Sequence, residues 1–430
     1  MNKLGVGQDM SRALSLKKLL KRYFALGLSI LIAGAIVISA GHNFKGTASN
    51  AQATPPDPID PLTDVQALVS LGARVAGTLA TEKASQYLID QYHKAGYETD
   101  IQTFTYPKFR DLGSSLEIGG QALEGWAYNG SIAGQISGRL VAIPNNGQPN
   151  DFASVPVKGA IAIARRGGMT FSEKVKHAAD AGAIAIVIVN NELKNVHGTL
   201  TSEPAIPVLG LSGAAGDPLI ERARTAAQSA TLTVNTQKDA VARNVIAHLP
   251  GVTQPKLILG AHYDSVPGSP GANDNASGTA VVLAIARQLS PSFGHSQSSL
   301  SRQIWFIAFD GEEDGLQGSQ AFVNRATPQF LSNLKGMLNF DMVAVNPTLQ
   351  MDGSLSLKSF TKVDETMMKN PALRLGSSDH ASFKSQNVPV LFFNRGYEPN
   401  YHSPNDKTIT LKLLRETEDA ALQSIKQILK

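Results

Sequence analysis

A run of seven residues, Gln303 to Phe309, limits the possible folds of this chain more than any other part of it. Six of the seven side chains are apolar, and the charged stretch Asp310-Gly311-Glu312-Glu313 follows directly. A short and almost wholly apolar run is typical of a strand that is buried on both faces of a sheet. Such a sheet needs helices on both faces, so the run predicts an α/β domain.

A second apolar run shows where a functional site could lie. The run from Leu257 to Leu259 is followed by His262 and Asp264, and a loop rich in Gly, Pro and Ser then leads to Asp274. The apolar segment from Thr279 to Leu289 has the character of a helix. A strand, a polar loop and a helix place ligands at the carboxyl end of the strand. In isolation, a His and an Asp in a turn are ordinary loop residues.

Two further polar positions are tied to apolar runs. Asp341 lies within the run from Leu334 to Val345, and a carboxylate there is costly to bury unless it is paired or bound to a metal. Tyr401 and His402 follow a further strand candidate, Val388 to Asn394. Both positions are therefore candidates for the same edge of the sheet.

Two neighbouring glutamates, Glu312 and Glu313, come directly after the first apolar run. By itself, an acidic pair is most simply a solvated turn. At the end of a buried strand, however, a turn can direct one carboxylate to a metal and leave the other free as a base. We therefore treat the pair as a candidate ligand and a candidate general base.

Together these motifs resemble those of the co-catalytic zinc aminopeptidases of the M28 family. The resemblance rests on five separated motifs in the family's order: His-x-Asp, Gly-Ala-Asn-Asp-Asn-Ala-Ser-Gly, Gly-Glu-Glu, Asn-Phe-Asp-Met and Tyr-His-Ser-Pro-Asn-Asp. It is strong over residues 241–430 and weak over residues 61–105. It implies a mixed-sheet α/β/α zinc-peptidase domain and a metallopeptidase that hydrolyses the N-terminal peptide bond of peptides.

The resemblance also implies a metal-binding role for five residues. His262 and Asp341 would hold one zinc ion, Glu313 and His402 would hold a second, and Asp274 would bridge both. Two histidines and three carboxylates, with positions left open, independently suit a dinuclear hydrolytic centre.

The remaining roles follow from the same resemblance. Glu312 would be the general base and later the proton donor to the leaving amine, and Tyr401 would donate a hydrogen bond to the tetrahedral intermediate. Asp264 would orient His262. The family also implies a cis peptide bond between Asp274 and Asn275.

One motif departs from the family pattern. The stretch Gly376-Ser377-Ser378-Asp379-His380 matches a family feature near the substrate, but some family aminopeptidases have an arginine where Ser377 stands. Recognition of the substrate's amino group is therefore an open question. A carboxypeptidase and a glutaminyl cyclase share the fold and stay as alternatives. A receptor-like homologue without catalysis is disfavoured because all ligands and the base are present, and a serine hydrolase lacks its Gly-x-Ser-x-Gly elbow.

The middle of the chain has a different pattern. Over residues 119–239, short apolar runs alternate with turns. The segment from Gly159 to Gly168, with Lys174 beyond it, resembles a protease-associated (PA) domain. Such domains have no catalytic activity of their own and often border the mouth of an active site. We therefore expect a small β-rich domain inserted between residues 61–118 and 240–430 of the peptidase domain.

The N-terminal part has the order of an export segment. Residues 1–22 carry six Lys and Arg against one Asp, and residues 23–40 are nearly all apolar. This order predicts a signal peptide or a single-pass membrane anchor, at the lower limit of the length that spans a bilayer. Residues 41–60 predict a linker. The folded part is thus expected to be periplasmic, secreted or anchored to the membrane.

Charge and cysteine content exclude several functions. The net charge is +4, but residues 1–22 contribute +5, so the rest of the chain carries −1 and predicts no nucleic-acid surface. The absence of cysteine excludes disulfides, thiolate ligands and a cysteine nucleophile. The expected partners are peptide substrates, and no pattern indicates an oligomeric state.

Overall fold

The computed structural model describes residues 60–195, 197–293, 298–358 and 377–430. The basic segment, the apolar segment and almost all of the linker predicted for residues 1–60 lie outside this part of the chain, as does Gly376. Within the described ranges, no helix is both long enough and apolar enough to cross a membrane.

The described residues form fourteen strands and twelve α-helices. The strands are β1 (Glu98–Asp111), β2 (Ser114–Ile118), β3 (Gln121–Ala127), β4 (Gly134–Ala142), β5 (Ile161–Arg165), β6 (Ala185–Val189), β7 (Val208–Leu211), β8 (Gln228–Val234), β9 (Thr236–His248), β10 (Leu257–His262), β11 (Ile304–Phe309), β12 (Gly336–Phe340), β13 (Gln350–Gly353) and β14 (Val390–Asn394). The helices are α1 (Pro61–Ser70), α2 (Leu79–Lys94), α3 (Pro149–Ala153), α4 (Phe171–Asp180), α5 (Gly213–Thr225), α6 (Gly278–Leu289), α7 (Ser298–Ser301), α8 (Gln317–Arg325), α9 (Pro328–Ser332), α10 (Leu355–Lys358), α11 (His380–Ser385) and α12 (Leu411–Ile428).

The larger sheet is mixed, as the resemblance implies. Its strand order is β1-β9-β11-β10-β12-β14-β13. The four central strands, β11, β10, β12 and β14, run parallel to one another, whereas β1, β9 and β13 join antiparallel. All four carboxyl ends of the parallel strands therefore lie at the same edge of the sheet.

Helices cover both faces of this sheet. Because side chains alternate along a strand, Leu257 and Leu259 face one core together with helices α1, α2, α6 and α12. Ile258 faces the opposite core with Phe322 of α8 and Phe383 of α11. The α/β/α architecture predicted from the sequence is confirmed.

Local hydrogen bonds explain where helix α1 and helix α4 begin. The Asp60 carboxylate accepts the backbone N–H of Leu62 at 3.1 Å, and Pro61 occupies the first turn of α1. Thr170 and Glu173 form a reciprocal capping box at the start of α4.

The inserted domain is a small closed barrel. Its strand order is β2-β3-β7-β6-β5-β4-β8. Strands β4, β5, β6 and β7 are parallel neighbours, and α4 and α5 accompany them. Leu116, Ile163, Val187 and Leu209 belong to its interior cluster. The prediction of a separate β-rich domain is confirmed.

Two long strands connect the barrel to the main sheet. β1 and β9 pair antiparallel from Glu98 opposite His248 to Asp111 opposite Thr236. β2 pairs with β3 and β8, so residues 114–118 belong to the barrel, although the predicted boundary after residue 118 assigns them to the peptidase domain. Alternation of apolar and polar residues identifies a strand, but the strand with which it pairs depends on the path of the chain. The sequence pattern therefore could not assign β2 to one domain or the other.

Candidate metal centre

The ends of the parallel strands bring most of the candidate residues together. His262 is the last residue of β10, Glu312 and Glu313 follow β11, and Asp341 directly follows β12. His402 lies in the loop after β14. The candidates thus meet at one edge of the sheet because the strands that carry them are parallel.

Asp274 reaches the same edge from the loop before α6. Residues Ala272–Ser277 form an irregular helical turn, and the peptide bond between Asp274 and Asn275 is cis, as predicted. The carboxylate of Asp406 accepts the backbone N–H groups of Asn273 (2.8 Å) and Asp274 (3.0 Å). This turn is therefore fixed by the loop that also carries His402.

The two histidines contact opposite oxygens of Asp274. Nε2 of His262 lies 3.4 Å from Asp274 Oδ1 and 3.5 Å from Asp341 Oδ1. Nε2 of His402 lies 3.2 Å from Asp274 Oδ2 and 3.0 Å from Glu313 Oε2. Asp274 therefore stands between a pair formed by His262 and Asp341 and a pair formed by His402 and Glu313.

Asp264 holds the surrounding backbone. Its carboxylate oxygens accept the backbone N–H groups of Glu312 (3.2 Å) and Glu313 (3.3 Å). One of these oxygens also lies 3.4 Å from Nδ1 of His262. Asp264 thus connects the ends of β10 and β11, and its position suits orientation of the His262 ring.

Burial and crowding of like charges change the acidity of the carboxyl groups. Burial raises the pKa of Glu312 to about 10, and Asp341 and Asp379 act in the same direction against the opposing effect of His262. Burial likewise raises the pKa of Glu313 to about 7, although His402 opposes it. Burial also raises the pKa of Asp341.

The pKa values of both histidines and of Asp274 shift in the direction that favours the charged forms. Burial alone would lower the pKa of His262, but the carboxylates around it raise the value well above its ordinary level. Hydrogen bonds to Asp274 and Glu313 raise the pKa of His402 to about 10. Burial opposes ionisation of Asp274, but both histidines together lower its pKa to about 2. The electrostatic potential at this edge of the sheet is therefore negative and favours a bound cation.

The donor atoms suit a divalent metal. Across the described ranges, the buried atoms Nε2 of His262, Oε1 of Glu313 and Oδ1 of Asp341 have no hydrogen-bond partner. Buried polar atoms are normally satisfied, and a metal ion would use these lone pairs. Two groups of three residues each bring one ligand atom per residue to within 4.8 Å of one another. The first group is His262, Asp274 and Glu313, and the second is His262, Glu312 and Asp341. Imidazole nitrogens with carboxylate oxygens are ligands that zinc accepts.

Tyr401 lies beside the candidate ligands. Its ring stacks on His402 with a centroid distance of 3.7 Å, and the ring of Tyr397 meets it edge-on at 4.9 Å. Burial, together with Asp274 and Glu313, raises the pKa of Tyr401. The hydroxyl therefore keeps its proton at neutral pH.

The sequence interpretation assigned no individual role at the centre to three residues that have close ties to it. Asp406 anchors the Asp274 turn, as described above. Asp379 is fully buried, and neither of its carboxylate oxygens has a hydrogen-bond partner among the described residues. Arg74 is also fully buried and donates to the carbonyl groups of Tyr263 and Gly271, at 2.7 and 2.9 Å. Asp379 could have been found from the sequence, because its charge stands within a recognised motif. No local sequence pattern indicates that Arg74 contacts the turn of Asp274.

Comparisons with known families identify both parts of the chain. The family model described as Peptidase family M28 matches residues 244–425, and the PA domain model matches residues 136–219. The PA match falls within the barrel. The M28 match begins in β9 and includes every candidate ligand.

Individual relatives show the same relationship over most of the chain. Aminopeptidase YwaD of Bacillus subtilis (strain 168) is 30% identical over 392 residues, which cover 84% of this chain and 82% of that protein. The probable lipoprotein aminopeptidase LpqL of Mycobacterium tuberculosis is 33% identical over 66% of this chain and 58% of that protein. Among solved structures, the zinc aminopeptidase BSAP from Bacillus subtilis has a TM-score of 0.55 at 28% identity, covering 87% of this chain and 95% of that chain. The aminopeptidase from Aneurinibacillus sp. strain AM-1 has a TM-score of 0.51 at 30% identity, covering 86% and 94%. The chain therefore belongs to peptidase family M28, a family of metallopeptidases, and contains a PA domain.

Proposed function

We propose that this protein is a zinc aminopeptidase that removes N-terminal residues from peptides and binds two zinc ions. The relatives YwaD and BSAP are named aminopeptidases, and BSAP is named a zinc enzyme. The observation that carries the proposal is the position of Asp274, with one oxygen facing His262 and the other facing His402. A carboxylate so placed is suited to bridge two ions.

The proposed ligand sets follow from these contacts. His262 and Asp341 would hold one ion, Glu313 and His402 would hold the other, and Asp274 would contribute to both. Zinc bound in this way supplies a water of lowered pKa and polarises the scissile carbonyl group.

The chain's own residues would move the proton and stabilise the developing charge. Oε2 of Glu312 lies 3.8 Å from Nε2 of His262. Cations at the neighbouring ligands would lower the raised pKa of Glu312, so its carboxylate would accept the proton of the attacking water and then pass it to the leaving amine. The Tyr401 hydroxyl, which keeps its proton, would donate to the oxygen of the scissile carbonyl as negative charge develops there. Asp264 would keep both glutamates in place through their backbone N–H groups.

We also propose that the folded part acts outside the cytoplasm. The basic and apolar segments of residues 1–40 support export, and LpqL is named a probable lipoprotein. This sequence has no cysteine to carry a lipid, and residues 23–40 are the apolar segment that could serve as an anchor.

Replacement of the two glutamates separates the proposed base from the proposed ligand. Glu312→Gln keeps the shape of the side chain and every proposed ligand, so zinc content and KM should stay near those of the parent. Turnover should fall by about 10²–10⁴-fold, which is the usual contribution of a positioned base. Glu313→Gln removes a ligand charge and should lower zinc affinity as well as turnover.

Glu98→Gln, at an exposed position at the start of β1, is the matched control and should change neither quantity. Zinc content by atomic emission and steady-state kinetics measure the outcome. A Glu312→Gln enzyme with the turnover of the parent would overturn the proposed mechanism. A panel of aminoacyl, C-terminal and N-terminal glutaminyl substrates separates aminopeptidase, carboxypeptidase and cyclase activity.

A further inference from the structure

The turn that carries Glu312 is closed by its own backbone. The N–H groups of Gly315 and Leu316 each donate to the Glu312 carbonyl group at 2.8 Å, and the N–H of Gln317 donates to the Gly311 carbonyl group at 3.0 Å. Asp314 lies within this turn. The position of the Asp314 side chain is therefore linked to the backbone of Glu312 through this turn.

Asp314 is held by two residues of β1. The Tyr106 hydroxyl donates to Asp314 Oδ2 at 2.5 Å, and the Lys108 ammonium forms an ion pair with the same oxygen. Tyr106 and Lys108 are two positions apart, so they share one face of the strand. The Asp314 and Lys108 side chains are only 25% and 18% exposed, which limits the screening of their attraction by water.

The same strand leads into the barrel. β1 ends at Asp111, and the first barrel strand begins at Ser114. The turn of residues 311–317, here called the glutamate turn, is therefore held from two sides. Asp264 fixes it to the end of β10, and Asp314 fixes it to the strand that enters the PA domain.

We propose that Asp314, through Tyr106 and Lys108, is a positioning residue for Glu312. The inference rests on the proposed role of Glu312 as the general base. It gives the β1 strand, and through it the attachment of the barrel, a part in aligning the reacting carboxylate. A small misplacement of a catalytic group costs about 10²-fold for 1 Å, so a modest loosening of the turn has a measurable effect on turnover.

A second ion pair provides a matched control. Lys238 at the start of β9 contacts Glu203 at 2.7 Å, and the two side chains are 48% and 64% exposed. This pair also joins a connecting strand to the inserted region, but the contacts of the glutamate turn do not include it. Lys238→Gln therefore disturbs the same junction without releasing Asp314.

The experiment compares Asp314→Ala, Asp314→Asn and Lys238→Gln in the full-length, zinc-loaded protein. Hydrogen exchange of residues 310–317 is followed by mass spectrometry, together with kcat and KM. Asp314→Ala should speed exchange in this segment and lower kcat by about tenfold, with KM within about twofold of the parent. The asparagine oxygen can still accept both hydrogen bonds, so Asp314→Asn should recover at least about a third of the parental kcat. Lys238→Gln should leave exchange and kcat unchanged.

Two results would overturn the inference. One is parental exchange and kcat in Asp314→Ala, and the other is an equal effect of Lys238→Gln, which would indicate general loosening of the junction. A parent protein without peptidase activity would refute the proposed function. The exchange comparison would then decide separately whether Asp314 holds the turn.

Discussion

A buried ion pair between Asp64 and Arg287 joins α1 to α6. The two residues lie on either side of the inserted domain in the sequence. Nη1 of Arg287 donates to Asp64 Oδ2 at 2.6 Å, and Nη2 donates to Asp64 Oδ1 at 3.0 Å. The two residues are only 1% and 6% exposed. The Tyr87 hydroxyl also donates to Asp64 at 2.6 Å, and the Gln91 amide oxygen accepts from Arg287 at 2.9 Å. Since α6 begins directly after the Asp274 turn, this pair supports the helix behind the candidate metal centre.

Arg287→Met removes both charged hydrogen bonds but keeps an apolar stem of similar length. Asp64 is left buried, with the Tyr87 hydroxyl as its remaining partner in this cluster. Breaking one half of a buried pair costs about 3–5 kcal/mol, against a total stability of about 5–15 kcal/mol for a typical domain. The double variant Asp64→Leu/Arg287→Met leaves no buried charge, so it should regain most of this loss. The coupling between the two sites should therefore be at least about 2 kcal/mol.

Urea unfolding followed by tryptophan fluorescence measures these differences. The chain has two tryptophans, and replacing Trp126 of the barrel by Phe leaves Trp305 of β11 to report on the main sheet. Lys176→Met is the control, because its partner Asp180 and Lys176 itself are 60% and 72% exposed. An exposed pair of this kind contributes less than about 1 kcal/mol. A loss below about 1 kcal/mol for Arg287→Met, or strict additivity of the two single changes, would refute this reasoning.

Two further predictions concern pH and metal removal. Burial lowers the pKa of His380 from 6.5 to about 4, so the stability given by the neutral ring is complete above pH 6.5 and is lost as the pH falls towards 4. His380→Phe, which can still stack on Phe392, should flatten the dependence of the urea midpoint on pH in this window, and equal slopes in both proteins would contradict the prediction. Chelation of zinc should lower the Tm of the main domain, since a ligand present at 1,000 times its Kd stabilises by about 4 kcal/mol. Asp274→Ala, which lacks the proposed shared ligand, should lose most of this response, and an equal fall in Tm would show that the chelator acts elsewhere.

The sequence alone determined the architecture of the main domain and the positions of its candidate ligands. The runs Leu257–Leu259 and Gln303–Phe309 lie largely within the adjacent parallel strands β10 and β11. Burial and strand period are local properties, so a short segment is enough to reveal them. The candidate ligands were found through the order of the five motifs and their resemblance to the M28 family, because each motif in isolation is ordinary loop chemistry.

Only the tertiary structure decided which distant residues support the site. Asp314 contacts Tyr106, 208 positions earlier in the chain, and Asp64 contacts Arg287 across 223 positions. Likewise, nothing in β2 itself shows that it pairs with β8 in the barrel. A hydrogen bond or an ion pair between remote residues depends on how the chain returns to the same place, and no local pattern encodes that path. Sequence motifs therefore gave the candidates for the reacting groups, whereas the fold determined which remote residues contact them.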